Sequence, residues 1–198
     1  MNARFGAFLV AMSVAALAQT APAAEPVKPS YVAEVLPVVP GDMQRLFERS
    51  VLVARVRITG SAPVIIERSG KLAPTVRTKH TADVIALYKG RGQPRSVEFY
   101  QTAGSAENER YSVRIAQQAV LVTGHEYFVF LAPYAFFNSY SLVGEDNGAF
   151  EITGSRIRAV GVAEVSRVHD NMPLNRFLAE LRAVDHEALE RAHDANRR

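Results

Sequence analysis

The chain has 198 residues, 48% hydrophobic and 22% charged, with 12 Gly, 10 Pro and neither Cys nor Trp. This composition fits one globular domain and excludes disordered, collagen-like and disulfide-stapled architectures; without cysteine there is no thiol nucleophile, Cys-ligated zinc, iron–sulfur cluster or lipidated cysteine anchor. The formal charge is only +3, and the basic residues are scattered near acids instead of forming a stripe, so no nucleic acid is expected as a partner.

Residues 1–24 follow the order of a secretory signal peptide. Arg4 precedes an apolar run from Phe5 to Leu17, and small residues occupy the stretch from Ala18 to Ala24. The run falls short of the roughly 20 residues a membrane-crossing helix needs, so removal is expected, after residue 18, 23 or 24. A periplasmic or secreted location follows, and no later segment is apolar for long enough to span a membrane.

Residues 25–49 carry Pro26, Pro29, Pro37 and Pro40, which favour an extended lead, and then Asp42, suited to cap a short helix through Arg49. Residues 50–165 read as strands. The run from Val51 to Thr59 turns Leu52, Ala54, Val56 and Ile58 one way and Arg55 and Arg57 the other. A turn is expected at Gly60–Pro63 and another at Ser69–Gly70, with a short strand between them. Further strands are expected over 76–88, 96–102 and 111–115, at Tyr127 to Leu131, and over 140–143, 149–153 and 156–162. Strands at this spacing predict a mainly β domain, a barrel or sandwich. Residues 166–198 form an amphipathic helix, capped by Asp170 or Asn171. Its stripe of Leu174, Phe177, Leu178, Leu181, Val184, Ala188 and Leu189 has to be buried on the barrel.

Some local motifs are more particular. Arg45-Leu-Phe-Glu-Arg-Ser50 runs into an apolar strand, Leu87-Tyr-Lys-Gly90 closes another, Gly124-His-Glu-Tyr-Phe-Val-Phe-Leu131 supplies a third, and Leu142-Val-Gly144 leads to Gly148-Ala-Phe150. Over roughly residues 45 to 160 this pattern resembles secreted bacterial proteins of unassigned function whose barrel is netrin-like, that is, similar to the tissue inhibitors of metalloproteinases. The resemblance implies an OB-like barrel. The inhibitors act through an N-terminal cysteine that chelates the protease zinc, and this chain has none, so their mechanism does not carry over.

No chemical motif names a reaction. There is no Gly-x-Ser-x-Gly elbow, the Gly-Ser pairs read as turns, and Gly70-Lys71 lacks the first glycine of a phosphate loop. His186, Glu190 and His193 share one helix face and could bind a metal, but near the chain end, opposite the apolar stripe, they read as a solvated polar face, and no metal site is expected. His80 and Asp83 point to opposite faces of a strand. His125 could serve as a general acid or base if a carboxylate oriented it. Pro133 to Tyr140 reads as a loop unusually rich in aromatics: Tyr134, Phe136, Phe137 and Tyr140. Such a loop offers rigid anchors for a protein or small-molecule ligand, unless Phe136 and Phe137 tuck under the C-terminal helix against Phe177 and Leu181. The expectation is therefore an exported binding module without a cofactor, using this loop. The alternatives are a periplasmic hydrolase with His125 as acid or base, and a structural component of the envelope.

Overall fold

Alternation in the sequence becomes a sheet with one buried face, and β7 is buried on both. The computed structural model describes residues 30–33, 41–67, 74–107, 112–115, 120–134 and 139–195. The expected signal peptide, the turn at Ser69–Gly70, and Phe136 and Phe137 lie outside them. The strands are β1 (Ser30–Ala33), β2 (Leu52–Ile66), β3 (Thr75–Lys89), β4 (Ser96–Gln101), β5 (Ser105–Glu107), β6 (Ser112–Ile115), β7 (Glu126–Tyr134), β8 (Ser139–Leu142), β9 (Ala149–Thr153) and β10 (Arg156–Ala159). The helices are α1 (Met43–Arg49), α2 (Glu164–His169) and α3 (Leu174–Ala195).

Seven strands form one sheet in the order β10-β9-β7-β2-β3-β4-β8. Because β7 also pairs with β8, the five strands β7, β2, β3, β4 and β8 close into a ring. β7 achieves this by dividing one edge: Tyr127–Val129 pair with β9, and Leu131–Tyr134 pair with β8. β1, β6 and β5 form a separate small sheet, in which the extended lead segment enters as β1, parallel to β6.

The ring interior is filled by Leu52, Ala54, Val56 and Ile58 of β2 with Val97, Phe99, Tyr127, Val129 and Leu131. The intervening residues Val53, Phe128 and Phe130 point the other way and meet Phe47, Phe150, Phe177 and Leu181. β7 is thus buried on both faces, which is why its sequence is a continuous apolar run. Asp42 caps α1 by accepting the Arg45 N–H at 2.7 Å. α3 lays its stripe on the outer face, with Phe177 ring centroids 4.9 Å from Phe128 and 5.2 Å from Phe150. Burying a side chain such as Phe177 contributes about 1.5–3 kcal/mol, which is what holds the helix on the sheet.

Several expected boundaries move. Gly60–Pro63 is not a turn: β2 shifts register between Ile58 and Gly60 and continues to Ile66 along β3. Glycine absorbs the bulge without ending the strand. Pro133, Tyr134, Ser139 and Tyr140 belong to β7 and β8 and not to a loop, and residues 135–138 between them lie outside the described residues. The last strand ends at Ala159, and α2, which the periodicity did not show, follows. The start of α2 is satisfied from a distance: Asn147 Oδ1 accepts the Ala163 N–H and the Ser166 hydroxyl, each at 2.8 Å. A side chain at Gly161 would run into that same amide. Asp170 does not cap α3; its Oδ1 accepts the Ala159 N–H at 3.0 Å.

Candidate functional site

The two ends of β7 carry different chemistry. At its far end the β7–β8 pairing sets Tyr134 opposite Ser139 and Pro133 opposite Tyr140. Cross-strand partners share a face, so Tyr134 and Tyr140 face opposite sides of the sheet. Tyr140 packs half-buried against the ring interior. Tyr134, also half-buried, meets Tyr100 of β4 at 5.5 Å between ring centroids and lies under the Arg77 guanidinium, 5.4 Å from the ring centre. Arg77 is held in turn by Glu145 at 3.2 Å, and the second Glu145 oxygen accepts the Thr102 N–H at 3.1 Å. The result is an aromatic pair with a fixed cation above it.

At the near end, His125 precedes β7 and Glu151 lies on β9, opposite Tyr127. His125 Nδ1 is 2.5 Å from Glu151 Oε1. The carboxylate is 5% exposed and the imidazole 51%, so a buried acid holds a ring that faces solvent. The second oxygen of Glu151 faces the Arg158 guanidinium. Glu126, the sequence neighbour of His125, turns instead to Arg55 and Arg57, whose donated hydrogen bonds at 2.5–2.8 Å hold its carboxyl below the usual carboxylate range. An open groove of about 460 Å³ runs past these groups, lined by Arg55, His125, Glu126, Glu151, Thr153 and Gly154 among others. An imidazole oriented by a carboxylate is an arrangement used for proton transfer.

The other histidines serve differently. His169 is buried between Phe150 and Phe177; Nδ1 is 2.6 Å from the Val165 carbonyl oxygen and Nε2 2.9 Å from Glu180, so it ties α2 to α3. His186 lies 3.6 Å from Glu190, both well exposed, and the His193 side chain lies outside the described residues. Among the described residues no three His, Asp or Glu side chains converge as for a metal, and no helix is long and apolar enough to cross a membrane.

No protein-family model matches the chain, and none of the curated proteins is significantly similar to it.

Of the expected aromatic anchors, the fold brings Tyr134 together with Tyr100 and Arg77 and turns Tyr140 inward. Glu151, the partner that His125 required, could not be picked out from sequence, because its place depends on the β7–β9 register. Arg77, Tyr100 and Glu145 carried no motif at all; Arg77 and Tyr100 fell only within strands expected over 76–88 and 96–102.

Proposed function

We propose that the mature protein is an exported binding module, an OB-like barrel of netrin-like type that recognises a protein or small ligand at the β7–β8 end. The observation that carries this reading is the Tyr134–Tyr100 pair with Arg77 over the Tyr134 ring. Rigid aromatics lose little conformational entropy on binding, and a fixed guanidinium adds a directional donor for an anionic or carbonyl group. Phe136 and Phe137 follow Tyr134 in sequence and lie outside the described residues. The closed ring supplies a rigid base for the β7–β8 end, as in many loop-borne binding sites.

The test is capture from an envelope extract with the mature domain and with its double variant Phe136→Ser, Phe137→Ser. The reading expects an unchanged melting temperature for the variant and loss of the retained component. A drop of several degrees in melting temperature would place the two rings in the core instead.

The 2.5 Å contact between His125 and Glu151 favours a second reading, a hydrolase with His125 as acid or base. Under it, His125→Ala abolishes turnover of a substrate that the Phe136→Ser, Phe137→Ser variant still processes.

A further inference from the structure

A third cluster lies away from both ends of β7, where β2 and β3 pair Ser61 with His80. His80 is fully buried, stacked 5.2 Å from Phe99, with both ring nitrogens engaged. Nε2 is 2.9 Å from Gln101 Oε1, and Nδ1 is 2.8 Å from the Ser61 hydroxyl oxygen. Gln101 Nε2 donates to Asp146 Oδ1 at 2.7 Å, and Asp146 is itself buried.

Donor and acceptor rules give this chain one direction. An amide nitrogen only donates, so Gln101 turns its NH₂ to the carboxylate and its oxygen to the imidazole; the same oxygen accepts the Leu121 N–H at 3.4 Å. His80 Nε2 must then carry the hydrogen, which leaves Nδ1 as an acceptor for the Ser61 O–H. Ser61 is the one exposed member. A hydroxyl of an exposed residue that donates to a buried imidazole of fixed tautomer, oriented by a third group, is the arrangement that activates a serine.

We propose that Ser61 is a nucleophile toward carboxylic esters, with His80 as its base and Gln101 and Asp146 as positioning residues. Ser61 Oγ attacks the ester carbonyl carbon as its proton passes to His80 Nδ1. The carbonyl–alkoxy bond then breaks, and the proton goes to the departing alkoxide, leaving an acyl ester on Ser61. Water hydrolyses that ester by the reverse proton path, which restores the hydroxyl and releases the acid. The site uses none of the residues of the binding surface, so neither proposal depends on the other.

Burial lowers the His80 pKa from 6.5 to about 4, opposed by its hydrogen bond to Gln101. Of the groups meeting the ring, Ser61 from β2 and Phe99 and Gln101 from β4 are uncharged, and the first charge along the chain is Asp146. The base therefore stays unprotonated through the neutral range, and its protonated form is a strong acid toward the leaving alkoxide.

The experiment is labelling of the full chain by a fluorophosphonate, in which Ser61 Oγ attacks phosphorus, fluoride leaves and His80 takes the proton. Peptide mapping is expected to find the adduct on Ser61. Labelling is lost in Ser61→Ala and slows about 10²-fold in a folded His80→Gln variant. Its rate stays flat across neutral pH and falls only as pH approaches about 4. No adduct on Ser61 in the unmodified chain overturns the proposal, a result that needs no variant to fold. A rate that declines already through pH 6.5 also overturns it, because the buried base would not then be the group that titrates.

Discussion

The start and the end of β7 differ in what their side chains leave available. At the start, His125 is gripped by Glu151 through one nitrogen, and four further charges, on Glu126, Arg55, Arg57 and Arg158, are matched among themselves and with Glu151. At the end, Tyr134 is half-buried against Tyr100 beneath an Arg77 guanidinium that Glu145 pairs, so that charge is also matched and what this end offers is one aromatic face. Between the two, Phe128 and Phe130 anchor the strand to the helical layer. A groove whose charges are internally paired offers little to a ligand except the one imidazole. A rigid ring pair at a hairpin offers area, which is what binding uses.

The largest effect is expected in the middle, where both ends are held. Phe177→Ala removes the ring against Phe128 and Phe150 and should cost about 3–5 kcal/mol in denaturant unfolding. A loss below about 1 kcal/mol would mean that α3 does not fix the outer face.

The next effect comes from His80. Its folded pKa of about 4 lies below the unfolded value of 6.5, so between them the unfolded chain binds the proton and the folded one does not. Its contribution is whole above pH 6.5, falls as pH drops toward about 4, and amounts to roughly 3 kcal/mol over that interval. Melting temperatures recorded against pH should show this fall, and a folded His80→Gln variant should show less of it. Glu126 adds to acid sensitivity in the same direction. Its lowered pKa means the stability it brings is present above about 4.5 and is lost as pH falls through the folded value.

Smaller changes separate the two ends. Tyr134→Ala loses one aromatic contact and one cation–π contact and should cost about 0.5–1.5 kcal/mol. His125→Ala should cost less than about 1 kcal/mol, since the ring is half exposed and Glu151 keeps Arg158. A larger loss for His125 than for Tyr134 in paired thermal melts would contradict this order.

Much of this fold was legible as pattern. The cap at Asp42, the alternation Leu52, Ala54, Val56 and Ile58, the doubly buried run of β7 and the stripe of α3 are local signals with a fixed period, and they survive folding. What was not legible depends on register. Glu151 meets His125 because Tyr127 sits opposite it in β9, and Ser61 meets His80 because β2 runs through Gly60 instead of turning there. α2 escaped notice because its cap comes from Asn147, a remote amide, and not from a residue before the helix. The proposed site was half legible: the aromatic cluster pointed to the β7–β8 hairpin, while Arg77 and Tyr100 reach it from strands with no local mark.

The most direct test sets one variant at each end of β7 against the same partner. Residues 25–198 carrying Tyr134→Ala and the same residues carrying His125→Ala are immobilised in parallel, and retention of the partner proposed for the unaltered protein is measured. Loss with Tyr134→Ala and full retention with His125→Ala is the predicted result. Full retention with Tyr134→Ala and loss with His125→Ala would contradict the account and move the functional surface to the His125–Glu151 groove.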